Sequence, residues 1–249
     1  EAVRVRRVAG LPPPWTADPV IATYRFCNVR REDDLVTRWI DRRVRRPYAD
    51  HPLLWLMLCL SRQVCWPDTL AELIDGGGWP DDDGDAWADR AVHIMNARRD
   101  RGDKVYTGAY MISAPPTRGA CKQDYVVRAV VGGLWRARDQ LPDWRTATLE
   151  STSAWIRARA PGWGPFMAYQ AVVDMRFCPG LLADASDVAT WAAAGPGTIR
   201  GLNRIAGRDV DAKLPQADAL REILALWPTI EAKTYVAVDL SDVPNILCE

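Results

Sequence analysis

The sequence is poor in the residues that most metal and nucleophilic sites require. It contains two histidines, His51 and His93, so a histidine-based triad or a multi-histidine metal site has weak support. Its six cysteines form no CxxC pair and no four-cysteine spacing, which argues against a zinc or iron–sulfur centre. We therefore expect no metal and no organic cofactor.

Several glycine motifs and apolar runs are also missing. No GxxxxGK[ST] phosphate loop and no GxGxxG fingerprint occurs, so neither nucleotide-kinase nor dinucleotide chemistry has a visible site. No signal peptide is evident, and no apolar run is long enough to span a membrane. Together with cysteines that are simplest to explain as reduced thiols, this predicts a cytoplasmic protein without membrane contact, and we expect a monomer.

A basic excess, which is usual for proteins that bind nucleic acids, is absent as well. The 249 residues carry 32 basic and 32 acidic side chains, for a formal net charge of +0. The charges are unevenly distributed, however. Residues 1–46 hold eleven arginines against six acids, and residues 68–89 hold eight acids and no lysine or arginine. A neutral total can therefore hide a basic face that steers a polyanion.

Helical periodicity is what the sequence does have. Residues 32–46 place Leu35, Trp39, Ile40 and Val44 on one apolar face, with acids at the start and arginines at the end. Residues 51–66 are almost uniformly apolar, which predicts a buried helix. Further amphipathic patterns cover residues 86–101, 121–139 and 145–159, and only 106–112 fit a strand. The chain is therefore predicted to be all-α.

The most informative connection joins two predicted helices through Pro161-Gly162-Trp163-Gly164. The first helix ends at Ala160, and Pro165 suits the first turn of the next. Such a turn exposes backbone N–H groups of Gly162, Trp163 and Gly164 at a helix start, where they can bind a DNA phosphate. Trp163, at the tip, is predicted to face DNA or to wedge beside it. The alternative is an ordinary connection between two helices.

A carboxylate follows this turn at a spacing that resembles the helix-hairpin-helix DNA glycosylases. In that superfamily a catalytic Asp lies roughly 22 positions after the first hairpin Gly, which corresponds to Asp184, with Asp187 as the rival candidate. A carboxylate there stabilises positive charge on the sugar or activates water as the base leaves. The alternative for either residue is to cap the helical-looking stretch VATWAAA. Phe166 occupies the position of the lyase lysine, so a monofunctional reaction is predicted.

Five segments in the same order resemble one family. They are YRFCNVRREDDLVTRWI (24–40), TGAYM (107–111), GWGPFMAYQAVVDM (162–175), WAAAGPGTIRGLNRIAGR (191–208) and the terminal LCE. The chain is similar to the α-glutamyl/putrescinyl-thymine pyrophosphorylase group, which also supplies the helical domain of hydroxymethyluridine DNA kinases. The resemblance implies a substrate base with a bulky 5-substituent in hypermodified phage DNA. The missing phosphate loop departs from the kinase members.

The same segments supply candidates for a base pocket. Asn28 would hydrogen-bond the base edge, and Arg30 or Arg31 would hold a phosphate or a polar base substituent. Tyr110 would stack on an extruded base, with Phe166 beside it. Each has an ordinary alternative, because Asn28 can cap the following helix and the two aromatic rings can pack in a core.

A second phosphate site is predicted at Gly195-Pro196-Gly197. The two glycines lie at a helix start, and Arg200 and Arg204 follow one turn apart, so the group resembles another phosphate clamp. A solvated pair of arginines is the alternative.

These observations predict a helix-hairpin-helix DNA-glycosylase-like domain, residues 1–249, with two helical lobes and a cleft. Residues 1–140 would form the base pocket, 145–210 the hairpin and catalytic Asp, and 211–249 would pack back. The predicted activity is hydrolytic excision of a 5-substituted pyrimidine, flipped out of double-stranded modified DNA, leaving an abasic site. Two alternatives remain open: transfer of an amine or amino acid onto the base, and non-catalytic binding of modified DNA. The sequence also leaves open whether the protein acts in a phage's own DNA modification or in antiphage defence.

Overall fold

The protein is all-helical in the computed structural model, which describes residues 2–24, 28–81, 83–234 and 236–248. Every regular element in these ranges is a helix, so the all-α prediction is confirmed. The finer prediction of a glycosylase-like fold with two lobes and a cleft stays a prediction. Residues 106–112 form no strand, because the described part of the chain offers no second strand with which they could pair.

The α-helices are short to medium in length and are separated by turns and irregular segments. In chain order they are α1 (Ala2–Val8), α2 (Pro19–Thr23), α3 (Leu35–Ile40), α4 (Leu54–Val64), α5 (Pro67–Asp75), α6 (Ala86–Asp100), α7 (Lys122–Asp124), α8 (Gly132–Arg136), α9 (Leu149–Arg159), α10 (Pro165–Arg176), α11 (Pro196–Ile205), α12 (Gln216–Lys233) and α13 (Val243–Ile246).

The chain divides into two compact units. One unit, called here the hairpin unit, is Leu35–Val188, and the other, called the terminal unit, combines Glu1–Asp34 with Ala189–Glu249. This grouping differs from the segments 1–140, 145–210 and 211–249 expected from the sequence, and those segments stay a prediction.

The hairpin unit is organised around α4. All eleven residues of this helix are buried, which confirms the prediction for residues 51–66. A helix that is apolar on every side must be surrounded, and α4 contacts α5, α10 and the segments 41–45 and 125–131. Cys65 ends the helix in the left-handed conformation, with φ 48°.

Two of the predicted helices widen into π-helical turns. The helix that begins as α3 continues as a π-helix over Asp41–Arg45, and the segment predicted over 121–139 is π-helical at Tyr125–Val131. On the first of these, Ile40 and Val44 are fully buried, whereas Leu35 is 72% exposed. The single apolar face predicted for residues 32–46 is therefore wrong at Leu35, because only the Ile40 side faces the core.

In the terminal unit, α11, α12 and α13 pack against one another. The stretch VATWAAA, which looked helical in the sequence, consists of turns and irregular chain, and α11 begins only at Pro196. The side chain of Gln216 explains part of this difference. Its amide accepts from the Ala194 N–H at 3.1 Å and donates to the Ala194 carbonyl at 2.9 Å, which satisfies the backbone without a helix.

Two glycines let α11 approach residues 247–248 closely. A Cβ on Gly197 would overlap the Cys248 side chain, and one on Gly201 would overlap the Leu247 carbonyl oxygen. The second overlap is with backbone, which cannot rotate away as a flexible side chain can. Thr198 adds a hydrogen bond from its hydroxyl to the Pro244 carbonyl at 2.9 Å.

We expect Gly201→Ala to destabilise the protein. Alanine is favoured over glycine inside a helix by roughly 1 kcal/mol, but steric overlap with a fixed carbonyl costs about 1–3 kcal/mol and should win. Thermal and urea unfolding measure the difference. Gly108→Ala is the control, since a Cβ there meets only the end of the Lys104 side chain at 3.7 Å. An unchanged or higher unfolding free energy for Gly201→Ala would contradict the close approach.

Candidate functional site

The hairpin predicted from the sequence is present between α9 and α10. After α9, Gly162 adopts φ +78°, a conformation that favours glycine, and a Cβ there would lie 2.6 Å from Ser113 Oγ. The Ser113 hydroxyl donates to the Gly162 carbonyl at 2.8 Å. Gly164 is exposed, with open space around it, and α10 begins at Pro165. The turn is thus held on one side and open at Gly164.

Trp163 does not lie where the sequence placed it. Its side chain is buried, with 4% of the residue exposed, and the indole N–H donates to the Val130 carbonyl at 2.9 Å. The prediction that Trp163 faces DNA or wedges beside it is therefore wrong. The indole instead anchors the turn to the π-helical segment 125–131, where burial of the ring is favourable and its N–H is satisfied.

Two of the predicted base-pocket residues meet beside this turn. The rings of Tyr110 and Phe166 pack edge to face, with centroids 5.3 Å apart and an interplanar angle of 76°. Both side chains are half-buried, so each keeps some surface open to solvent. The Tyr110 hydroxyl donates to the Arg62 carbonyl at 3.1 Å, which fixes the ring relative to α4. We call this arrangement the aromatic pair.

Tyr110 belongs to the long irregular segment 101–121, which is attached to the unit at several points. The Thr107 N–H donates to the Val64 carbonyl at 3.1 Å, and the Lys104 ammonium lies 3.8 Å from the centre of the Trp66 ring. A connection of this length without regular structure is uncommon in a compact domain and is often functional. Its attachments hold the aromatic pair in place.

A buried ion pair lies beneath this surface, and the sequence analysis missed it. Arg62 of α4 donates to both carboxylate oxygens of Asp174 of α10, at 2.5 and 2.7 Å, and to Thr37 Oγ1 at 3.0 Å. The side chains of Arg62 and Asp174 are 4% and 0% exposed. Each is a charged residue within an otherwise apolar helical run, and the two residues carry opposite charges. That pattern was the available signal, because charged residues are rarely buried unless they are paired.

The charges of this pair stabilise each other. Burial alone lowers the pKa of Arg62, but the charge and hydrogen bonds of Asp174 outweigh it and raise that pKa above its ordinary value. Burial, and secondarily the Asp174 charge, raises the pKa of the neighbouring Cys59 thiol, which keeps it protonated. Asp174 therefore serves as the counter-ion that lets α4 and α10 pack together.

The two candidate aspartates have different surroundings. Asp184 is exposed in a segment of turns. Asp187 accepts the backbone N–H groups of Leu149 at 2.8 Å and Glu150 at 3.0 Å. Thr148 caps the third N–H of the same helix, so Asp187 completes the cap of α9 rather than that of a helix following it.

Two further candidates, Asn28 and Arg31, lie in the terminal unit, where they join two segments of the chain. The Asn28 carbonyl accepts from the Asn245 side chain at 2.9 Å, and the Arg31 N–H donates to Asp242 at 2.7 Å. Asn28 is not the cap of the following turn, because Arg30 occupies that position. Burial raises the pKa of Asp242. Contacts of these residues with a base or phosphate stay a prediction.

Arg30 and Arg31 differ in accessibility. The Arg30 guanidinium pairs with Asp33 at 3.2 Å and is 40% exposed, whereas the Arg31 residue is only 6% exposed. Of the two, Arg30 is the one that solvent and a ligand can reach.

The predicted second phosphate clamp is altered by packing. Gly197 lies in the first turn of α11, but its Cα faces Cys248, so close approach to residues 247–248 explains this glycine. Arg200 is exposed and pairs with Asp211 at 3.5 Å, and Arg204 is exposed. The arginines match the solvated alternative, and a phosphate contact stays a prediction.

Within the described ranges, no three His, Cys, Asp or Glu side chains are arranged to hold a metal ion. Across the same ranges, none of the helices combines the length and apolarity needed to cross a bilayer.

We expect Arg62→Met to lower the unfolding free energy by about 3–5 kcal/mol, because it leaves the Asp174 carboxylate buried without a counter-ion. The double variant Arg62→Met/Asp174→Leu should recover a large part of that loss, since both charges are gone. Urea unfolding of the two single variants and the double variant measures the coupling. Arg145→Met, which breaks an exposed surface pair with Asp143, is the control and should change stability by at most about 1 kcal/mol. Equal losses in single and double variants would contradict the counter-ion role.

Comparison with known proteins gives the family. The sequence model described as "5-hmdU DNA kinase, helical domain" matches residues 1–249. The chain is also 28% identical over 222 residues to a protein of Bacillus phage SP10 named "5-hmdU DNA kinase". That match covers 80% of this chain and 33% of the relative, so the chain spans about a third of the relative's length. The chain has no match among solved structures.

These matches correct the functional prediction. The chain was expected to be a DNA glycosylase, a hydrolase, whereas the family and the relative are named for a kinase, which transfers a phosphoryl group. The glycosylase prediction is therefore wrong, and with it the reason for assigning catalysis to Asp184 or Asp187. The alternative of a transferase acting on the base was nearer, although it named an amine or amino acid as the transferred group. The resemblance to the hydroxymethyluridine DNA kinase helical domain is confirmed: the chain belongs to the 5-hmdU DNA kinase helical-domain family.

Proposed function

We propose that this chain is the DNA-binding part of a 5-hydroxymethyluridine DNA kinase, and that it holds the modified base for phosphoryl transfer. The observation that carries the proposal is the match of the family over residues 1–249. No GxxxxGK[ST] phosphate loop occurs in these residues, so the proposal assigns the phosphoryl donor to residues outside them. The part of the relative that lies beyond the match leaves room for such a site.

The aromatic pair is the proposed contact for the base. A pyrimidine has an apolar face that stacks on aromatic rings, at about 1–3 kcal/mol per base. Tyr110 and Phe166 are half-buried and held by hydrogen bonding and packing, so little side-chain entropy would be lost on binding. A rigid aromatic contact suits a module that must orient one hydroxymethyl group.

The hairpin is the proposed contact for the phosphate next to that base. Gly164 is exposed with open space around it, and the N–H groups of the first turn of α10 have no partner within their own helix. Phe166 lies in that same turn. A single nucleotide can therefore contact the N–H groups with its phosphate and the aromatic pair with its base.

Orientation is what the chain would contribute to the reaction. Phosphoryl transfer needs the attacking hydroxyl in line with the leaving oxygen, and much of its catalysis is positioning. The base must leave the duplex stack to reach the aromatic pair, as in enzymes that flip their target base. Holding the base at the aromatic pair fixes the direction of its hydroxymethyl oxygen. The other residues of the kinase would supply the positive charge that stabilises the transferred phosphoryl group.

We expect the protein to bind duplex DNA containing 5-hydroxymethyluridine more tightly than the same duplex with thymidine. Tyr110→Ala and Phe166→Ala should each weaken binding of the modified duplex about 5- to 100-fold, because each removes part of the stacking surface. Fluorescence anisotropy with matched duplexes measures both affinities. Tyr24→Ala, which removes an exposed aromatic ring elsewhere, is the control and should keep the preference. Equal affinity of the unaltered protein for the two duplexes would contradict the proposal.

Gly164→Asp should weaken binding to both duplexes alike, since it places a negative charge where backbone N–H groups meet a phosphate. Affinity should also fall as salt rises, because phosphate contacts release counter-ions. The measurement is anisotropy over a salt series, with Gly180→Asp as the charge-matched control at an exposed glycine away from the aromatic pair. Unchanged affinity of Gly164→Asp would remove the hairpin from the proposed interface.

The assignment of phosphoryl transfer to other residues has its own test. Residues 1–249 are incubated with 5-hydroxymethyluridine DNA, Mg²⁺ and a γ-labelled nucleoside triphosphate, and the label in DNA is counted. We expect none above background. Labelled DNA would show that the donor site lies within these residues.

A further inference from the structure

A second surface of the hairpin unit combines three arginines with exposed apolar groups. Leu35, Arg38, Trp39, Arg42 and Arg43 line a surface concavity of about 430 Å³. They occupy three successive turns of α3 and its π-helical continuation, on the side opposite the buried Ile40 and Val44. We call these five residues the Arg38 face.

The positive charge of this face is largely uncompensated. Asp41, the acid within the π-helical turn, pairs with Arg45 and Arg46 and so is not available to the others. Arg38 and Arg42 are exposed and have no acidic partner within the described residues. Arg43 lies 3.8 Å from Asp75, but both side chains are well exposed, so this pair neutralises little.

The apolar part of the face lies among these charges. Leu35 is 72% exposed, and half-buried Trp39 has the Arg43 guanidinium 5.8 Å from its ring centre. A single exposed leucine needs no explanation. An indole flanked by arginines on neighbouring turns, in a concavity, is different, because it offers a stacking surface and charge-assisted donors at the same place.

This chemistry fits a nucleotide strand better than other polyanions. A duplex presents phosphates to a protein surface but keeps its bases stacked, so it would leave Trp39 and Leu35 without a partner. An acidic peptide would satisfy the arginines and has no flat ring for the indole. A single strand offers both, since its unpaired bases stack on aromatic side chains while its phosphates lie in basic grooves.

We propose that the Arg38 face binds single-stranded DNA, with a base against Trp39 and phosphates on Arg38 and Arg42. These arginines are one turn apart, about 5–6 Å between Cβ atoms, so they contact the same or successive phosphates. The inference rests on the proposed function only in taking DNA as the ligand. The Arg38 face would bind a DNA strand and not the modified base, so it is a second contact surface in the same unit.

The test uses a labelled oligothymidylate of about 12 nucleotides, which contains no modified base. Arg38→Gln/Arg42→Gln should weaken binding at least 10-fold and reduce the slope of log affinity against log salt by about 1, because up to two phosphate contacts are lost. Trp39→Ala should weaken binding about 5- to 100-fold with little change in slope, since it removes stacking and no charge.

Controls separate this effect from general charge and from folding. Arg99→Gln/Arg101→Gln removes the same charge from exposed arginines that pair with nearby acids, and it should leave affinity unchanged. Arg38→Lys/Arg42→Lys keeps the charge and should keep most of the salt slope. Thermal unfolding of each variant checks the fold. Equal weakening by both Gln pairs, or none by Arg38→Gln/Arg42→Gln, would overturn the proposal.

Competition by other ligands shows which class of molecule binds the Arg38 face. If a free nucleoside monophosphate or triphosphate binds this face as tightly as the oligothymidylate, the face is a mononucleotide site and the strand proposal fails. If polyglutamate competes equally, the face binds acidic protein instead. Arg38→Gln/Arg42→Gln should keep the preference for 5-hydroxymethyluridine duplex, so failure of that preference and failure of this surface are separate results.

Discussion

The Arg62–Asp174 pair is the interaction on which the rest of the hairpin unit depends. It joins the two most deeply buried helices, α4 and α10, and Thr37 extends it towards α3. Desolvating two charges is costly, and only bidentate geometry with a further hydrogen bond compensates for it. The backbone carbonyl of Arg62 also holds the Tyr110 hydroxyl, and α10 carries Phe166. The aromatic pair is therefore positioned by the same two helices that the buried charges hold together.

Local chemistry made the hairpin and the central helix predictable. Glycine is favoured just after the end of a helix, and proline is favoured at the start of one. Pro161-Gly162 and Gly164-Pro165 therefore limit where the helices end and begin. A uniformly apolar run of helical length can only be buried, which defined α4. The juxtaposition of Tyr110 with Phe166 was less accessible from sequence. Their motifs were singled out separately, and only the path of segment 101–121 brings the rings together.

The errors arose where tertiary contacts decide. Trp163 follows a glycine in a tight turn, and no local rule states that its indole N–H finds the Val130 carbonyl 33 residues away. Leu35 fits the apolar period of the helix that contains it, yet the core covers only the neighbouring face. Gly197 looked like a phosphate-binding glycine, whereas residues 247–248 require its missing side chain. Spacing also placed Asp184 and Asp187 in glycosylase chemistry, whereas the family is named for a kinase.

The cap that Asp187 provides has a consequence for how the hairpin opens. Its carboxylate accepts hydrogen bonds from the first turn of α9, although Asp187 itself lies beyond the end of α10. Residues 148–187 therefore form a loop of chain that these hydrogen bonds close. Fraying of the α9 start releases that carboxylate, and release of residues 177–187 uncovers the α9 N–H groups. We therefore expect the two ends of this loop to exchange their amide protons as one cooperative unit, a foldon whose boundary is defined by a side chain and not by a helix end.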